Sequence, residues 1–138
     1  MRLQLNFLKD RFMQLAYTIF YVQDVRKSAE FYQKAFDLQV KFIHEGGDYG
    51  EMDTGNTTLA FCAVALLRAQ GKSPRSADAS APCSEIAFTT LDVPKALAQA
   101  LTAGAQLLQA PKVMSWGQTV AYVADPDGFW VELCTPMG

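Results

Sequence analysis

Residues 123–133, Val-Ala-Asp-Pro-Asp-Gly-Phe-Trp-Val-Glu-Leu, have the pattern of a strand, a tight turn and a returning strand. The turn chemistry lies in Asp125-Pro126-Asp127-Gly128, because proline presets φ, aspartate bonds its own backbone and glycine accepts a positive φ. Residues 129–133 are rich in the aromatic and β-branched residues that strands favour. Within them Glu132 points to the opposite face from its two apolar neighbours. We therefore predict a hairpin whose closing strand directs one carboxylate toward solvent or a cavity.

The composition indicates one globular domain and excludes several functional classes. Half of the 138 residues are hydrophobic and the formal net charge is −2, so neither disorder nor a basic nucleic-acid surface is indicated. No apolar run approaches the roughly 20 residues that cross a bilayer. The three cysteines, Cys62, Cys83 and Cys134, cannot all pair and form no CxxC motif. We expect a reduced, cytoplasmic setting with no membrane or nucleic-acid partner.

The chain repeats one order of predicted elements. Module one, residues 13–66, reads as a strand, a helix capped by Asp24 and three further strands. Residues 67–82 lose all periodicity and carry Gly, Pro and Ser, which is typical of a linker. Module two, residues 83–136, repeats the order with Asp92 as the cap. Residues 1–12 read as an N-terminal extension, and an added edge strand is the alternative, since their apolar residues alternate. The prediction is an α+β fold of two tandem βαβββ modules.

Two alignments relate the modules. Residues 22–27 match residues 90–95 at an offset of 68, and the closing hairpins match at an offset of 71, which places Phe61 opposite Glu132. Each helix can cover one face of its sheet, so we expect the two remaining faces to curve around a shared cavity.

With these features the sequence resembles the vicinal oxygen chelate superfamily, which includes glyoxalase, bleomycin-resistance and extradiol dioxygenase proteins. The resemblance covers nearly all of residues 14–136 and depends on two segments, 17–32 and 121–133. In enzymatic members each module supplies metal ligands from its first and last strands. Those positions here are Tyr17, Phe61, Glu85 and Glu132.

The resemblance therefore implies a degraded metal site. Of the four positions only Glu85 and Glu132 could ligate a divalent metal, whereas sites of this type use imidazole together with carboxylate. The one histidine, His44, lies on the predicted second strand, away from these positions. We favour no cofactor, and a divalent metal on the two glutamates is the alternative.

Strand alternation predicts an aromatic cavity with two acids and no Lys or Arg on its strand faces. Two carboxylates in an apolar cavity either share a proton or attract a cation, and aromatic faces also favour a cation. The predicted ligand-binding residues are Tyr17, Ile19, Tyr21, Leu59, Phe61, Glu85, Trp116, Trp130 and Glu132.

Three functions remain open at the level of the sequence, and the third of them is a purely structural or dimerisation module. The first is binding of a small cationic or aromatic molecule in the cavity between the modules. The second is a divalent-metal-dependent lyase, isomerase or dioxygenase, with Glu132 and Glu85 as the catalytic candidates. For either of the first two functions the resemblance implies a homodimer, and the flexible linker would permit exchange of modules between chains.

Overall fold

The computed structural model of the chain describes residues 13–137 and contains two four-stranded sheets. The predicted extension at residues 1–12 lies outside the described residues. Sheet one has the order β1-β4-β3-β2, and its strands are β1 (Tyr17–Val22), β2 (Gln39–Ile43), β3 (Tyr49–Asp53) and β4 (Thr58–Ala63). Sheet two has the order β5-β8-β7-β6, and its strands are β5 (Glu85–Thr89), β6 (Gln106–Val113), β7 (Thr119–Ala124) and β8 (Trp130–Cys134). The predicted α+β fold of two βαβββ modules is confirmed.

The two long helices, α1 (Val25–Phe36) and α3 (Val93–Ala103), begin at the predicted caps. The side chains of Asp24 and Asp92 accept hydrogen bonds of 3.1 Å from backbone amides three residues later, which satisfies donors that a helix start leaves unpaired. Each helix buries apolar residues at helical spacing, which are Val25, Ala29 and Tyr32 on α1 and Val93, Leu97 and Ala100 on α3. Helix α3 ends at Gly104, whose φ of 114° is accessible to glycine at little cost.

A short helix, α2 (Val64–Ala69), replaces what the sequence predicts as the end of a strand and the start of the linker. Val64 and Leu67 are buried and three residues apart, so one helical turn places both against the core. Residues 70–84 then contain neither helix nor strand.

The modules pack on each other through aromatic and polar contacts. The Phe20 and Phe129 rings stack with centroids 3.9 Å apart, and the buried Tyr32 hydroxyl donates a 2.6 Å hydrogen bond to Asp125. The other Asp125 oxygen accepts three backbone N–H bonds of 2.9–3.0 Å within its own turn. Burial raises the pKa of Asp125, while these hydrogen bonds favour the carboxylate. The predicted hairpin turn of module two is therefore fixed by module one.

The strand register shows that the predicted offset of 71 holds for the first strands of the closing hairpins, β3 and β7, but is wrong by one residue for the second strands, β4 and β8. Tyr17 pairs with Thr58, and its counterpart Glu85 pairs with Trp130, so the closing strands correspond at an offset of 72. Ala60, not Phe61, therefore occupies the position equivalent to Glu132.

The predicted inward orientation of Leu59 and Phe61 is consequently wrong. Phe61 pairs with Phe20, is completely buried, and has its ring 5.1 Å from that of Tyr32 on α1. Leu59 is buried in the same hydrophobic core. Because side chains alternate along a strand, a slip of one residue moves each of them to the opposite face.

Candidate functional site

We call the surface of each sheet opposite its helix the open face. On the open face of sheet two, Glu85 lies on β5 and Glu132 lies on the adjacent β8. The strand register pairs Glu85 with Trp130 and pairs Glu132 with both Ala87 and Tyr122, so alternation places these side chains on one surface. The Tyr122 and Trp130 rings are 5.4 Å apart. The sequence prediction that both glutamates and Trp130 share one face agrees with this register.

The two carboxylates interact unfavourably when both are ionised. Burial and the neighbouring Glu85 carboxylate raise the pKa of Glu132. Burial, Glu132 and Glu85 together raise the pKa of the Tyr122 hydroxyl to about 12. The same three causes raise the pKa of the buried Cys134 thiol, which disfavours its thiolate form.

No cation compensates this pair among residues 13–137. The ion pairs in that part of the chain are Lys34–Glu30, Lys41–Glu51 and His44–Asp48, and none involves Glu85 or Glu132. The open face of sheet two therefore carries acidic groups with unused capacity for a proton or a cation.

The open face of sheet one presents Tyr17, Ile19 and Tyr21, which are 51%, 46% and 41% exposed. The sequence prediction that these three side chains point away from the helix is consistent with their exposure. Their neighbours on the core side of β1, Phe20 and Val22, are buried.

Sequence reasoning missed a third acid, Glu51, on this face. Glu51 pairs with Ala60 across the sheet, is 7% exposed, and accepts a 2.8 Å hydrogen bond from the Tyr49 hydroxyl. The Lys41 ammonium lies 3.8 Å from its other oxygen. Burial and Glu51 raise the pKa of Tyr49. Only the strand register could have shown that Glu51 lies buried on the open face. Acids in hairpins are common on solvated faces, so the presence of a glutamate there gives no signal in the sequence.

Trp116 lies on neither of the two open faces. It lies in the connection between β6 and β7, is 57% exposed, and donates a 2.7 Å hydrogen bond from its indole nitrogen to Gln118. Its predicted role in ligand binding stays a prediction.

A cavity of about 340 Å³ lies beside these faces. It contains three of the predicted ligand-binding residues, Ile19, Tyr21 and Trp130, and is also lined by Phe129. The remaining wall comes from Gly128 and from residues 75–78 and 81–84, which the sequence predicts to be linker and the start of module two. Arg75 belongs to this wall, and Lys41 on β2 lies 3.8 Å from Glu51 on the open face of sheet one, so the predicted absence of Lys and Arg is wrong for both. Neither Glu85 nor Glu132 lines the cavity directly.

The described residues do not form a set of metal ligands. Within residues 13–137 no three side chains of His, Cys, Asp or Glu come together in a way that could hold an ion. The two glutamates lack the imidazole partner that such sites use, since the His44 ring instead lies 3.9 Å from Asp48 in module one. No catalytic step through a metal follows from this donor set.

Comparisons with known proteins agree with the fold and the repeat. A family model described as Glyoxalase/Bleomycin resistance protein/Dioxygenase superfamily matches residues 14–133. No curated protein matches the chain in sequence. Over the part of the chain that the structure describes, no helix is both long and apolar enough to cross a membrane.

Solved structures of similar shape cover nearly the whole chain. A glyoxalase-related enzyme from Fulvimarina pelagi is 25% identical, with a TM-score of 0.76 over 92% of this chain and 94% of that one. A glyoxalase/bleomycin resistance protein/dioxygenase family enzyme from Burkholderia phytofirmans PsJN is 22% identical, with a TM-score of 0.76 over 91% and 100%. TioX from Micromonospora sp. ML1 is 15% identical, with a TM-score of 0.69 over 91% and 100%, and shows likeness of fold alone. The chain belongs to the glyoxalase/bleomycin resistance protein/dioxygenase superfamily.

Proposed function

We propose that this protein binds a small cationic aromatic molecule between its modules and holds it by the acidic open face of sheet two. The carrying observation is the Glu85–Glu132 pair, which lies beside Tyr122 and Trp130 and has no cationic partner among residues 13–137. An ammonium group would relieve the repulsion between the carboxylates and would also gain from the aromatic faces.

The contrast between the two sheets supports this choice. On sheet one the acid Glu51 already has Lys41 and the Tyr49 hydroxyl as partners. On sheet two burial and the Glu85 carboxylate raise the pKa of Glu132, and no ammonium or guanidinium group pairs with Glu85 or Glu132 in the described part of the chain. The proposed site is therefore the acidic surface whose charge is not already compensated.

A metal-dependent lyase, isomerase or dioxygenase is the less favoured function. It would need donors that the surroundings of Glu85 and Glu132 do not provide within residues 13–137. Binding requires only the pair and the aromatic rings.

Calorimetric titration with tryptamine tests the proposal, with neutral 3-methylindole as the uncharged probe. We expect tryptamine to bind more tightly than 3-methylindole. The double substitution Glu85→Gln and Glu132→Gln should lower the affinity for tryptamine at least about tenfold, because charge-assisted hydrogen bonds are worth roughly 1.5–3 kcal/mol. The matched control is Glu30→Gln, which removes one charge from an exposed position on α1. Equal affinity for both probes, or no effect of the paired substitution, would contradict the proposal.

We also propose that the protein forms a homodimer. The apolar side chains of Tyr17 and Ile19 on the edge strand β1 are about half exposed, and a second copy would remove them from water. Such pairing would place two open faces around one ligand.

A further inference from the structure

The cavity of about 340 Å³ has two aromatic walls from different modules. Ile19 and Tyr21 on β1 supply one wall, and Phe129 and Trp130 at the start of β8 supply the other. Phe129 is held in place by its stack with Phe20. The volume is at the lower end of the range for ligand pockets, so it matches one or two fused rings rather than a large natural product.

Residues 75–84, which we call the strap, close the cavity and are tied to both modules. The Trp130 indole nitrogen of module two donates a 2.7 Å hydrogen bond to the Ala79 carbonyl in the strap. Gln23, directly after β1, donates a 2.9 Å hydrogen bond to the Ser76 hydroxyl. The strap also runs so close to Gly128 that a Cβ there would meet the backbone of Ala77 and Ala79 at 3.2 Å. These contacts hold the strap in one position against both modules, whereas a segment that only links the modules would need no such contacts.

Trp130 belongs both to the cavity lining and to the acidic open face of sheet two. Trp130 lines the cavity and pairs in register with Glu85, and its ring lies 5.4 Å from Tyr122, the register partner of Glu132. Ser84, the last strap residue, directly precedes Glu85. A molecule with its ring beside Trp130 therefore has the two carboxylates next to it on the same sheet.

The strap itself adds no net charge preference to the cavity. It contributes one basic residue, Arg75, and one acidic residue, Asp78. One Asp78 oxygen accepts bonds of 2.9 Å and 2.7 Å from the backbone and hydroxyl of Ser80, which lower the pKa of this carboxyl and keep it ionised as a counter-charge to Arg75 in the strap. The charge preference of the site is thus set by Glu85 and Glu132.

We infer that the strap is a wall of the ligand site, and that the cavity it closes takes the one- or two-ring aromatic body of an amine whose ammonium group lies at Glu85 and Glu132. The position of the ammonium group rests on the proposed function, whereas the position of the ring does not depend on it. With the ring in this cavity, residues 75–84 limit the size of the ligand.

Substitution of Ala81, an exposed cavity-lining residue, tests the place of the ring. The Ala81→Trp side chain would fill the cavity, and we expect this variant to bind tryptamine with at least tenfold lower affinity in calorimetric titration. The matched control, Ala98→Trp on the exposed surface of α3, should leave the affinity within twofold. Unchanged tryptamine affinity in a folded Ala81→Trp protein overturns the inference about the strap, whatever the glutamine substitutions show.

A second measurement needs no substitution in the strap. Because the Trp130 indole N–H is bonded to the strap, tryptamine should shift its nitrogen–proton NMR resonance in the wild-type protein. A resonance that stays in place at saturation overturns the inference. If 3-methylindole shifts it and Ala81→Trp removes that binding while the glutamine variants have no effect, the strap inference stands and the proposed cation site fails. Failure of the wild type to bind either indole probe overturns both.

Discussion

Three glutamates on the open faces show how strongly the ionisation of a carboxyl group depends on the groups around it. Glu51 has a hydroxyl donor at 2.8 Å and an ammonium at 3.8 Å, so its charge is compensated within sheet one. Glu132 instead faces burial and the Glu85 carboxylate, and both raise its pKa. The strand register makes Glu51 equivalent to Tyr122 and Ala60 equivalent to Glu132. The two modules thus place acids and phenols at exchanged positions, and within residues 13–137 the Glu85–Glu132 pair has no ion-pair partner, whereas Glu51 has Lys41.

At the scale of single residues, we predict that Glu132→Gln makes the protein more stable than the wild type at higher pH. A raised pKa means that the folded state keeps its proton to higher pH than the unfolded chain, so wild-type stability declines as pH rises through the folded pKa. The glutamine side chain in the variant carries no such titration. The variant should match the wild type near pH 4 and exceed its Tm by about 2–5 °C at pH 7.5, measured by thermal unfolding.

The exposed Glu30 provides the control for this experiment. Its hydrogen bond and charge interaction with Lys34 lower its pKa, the opposite direction to Glu132. Glu30→Gln should therefore give no gain at pH 7.5. A gain of the same size in both variants would contradict a specific effect of the carboxylate pair.

At the scale of elements, the β7–β8 turn has a role beyond reversing the chain. Its residues bond Tyr32, Ser28 and Gln23 of module one, and Gly128 lies against the backbone of residues 77–79. The turn therefore joins three parts of the molecule: helix α1, strand β8 with Trp130 and Glu132, and the strap. Its glycine has a φ of 104°, as the turn chemistry predicts, and it also leaves the space that the strap occupies.

We predict that Gly128→Ala displaces the strap. The added Cβ would be strained at this φ and would meet backbone atoms at 3.2 Å, so we expect a loss of about 1–3 kcal/mol in the free energy of unfolding. Denaturant titration measures that loss. Trypsin cleavage after Arg75 should also become faster, since the strap would no longer be held against the turn.

Gly55→Ala separates strain from displacement. Gly55 has a similar φ of 89° but a Cβ there would meet nothing within 4 Å. We expect this variant to lose stability by strain alone and to show unchanged cleavage after Arg75. Faster cleavage in both variants would show that the strap does not depend on Gly128.

At the scale of the whole molecule, the helices and the modules' mutual contacts bury one side of each sheet. The other sides remain open in a single chain, and β1 is an edge strand that exposes Tyr17 and Ile19. Apolar surface of this kind is commonly covered by a partner. A homodimer would cover it and bring further groups to the ligand.

We predict a solution mass near twice the 15.2 kDa of one chain, measured by light scattering on a size-exclusion column. Tyr17→Asp should shift the protein toward a single-chain mass, because it introduces a charge into the exposed apolar strip of β1. Lys95→Asp, an exposed change on α3, serves as the control. A wild-type mass of one chain at micromolar concentration would contradict the homodimer.

The order of the strands and of the two long helices, both helix caps, the glycine turn of module two and the duplication all follow from the amino-acid sequence alone, whereas the short helix α2 does not. These features depend on local chemistry: an Asp side chain three residues before an amide, an apolar stripe at helical spacing, or a glycine at positive φ. The family resemblance followed from the same segments. The grouping of Glu85, Trp130 and Glu132 was also predictable, because alternation within one strand pair is sufficient to assign a face.

The alignment of module one with module two and the surroundings of the acids emerge only when the chain is folded. A one-residue difference in the length of the turns is invisible to sequence matching, yet it moved Phe61 into the core and left Ala60 opposite Glu132. Residues 75–84 have no periodicity, and their place depends on distant partners such as Trp130 and Gly128. Faces follow from local alternation, but register and the path of an aperiodic segment follow from contacts between residues far apart in the chain.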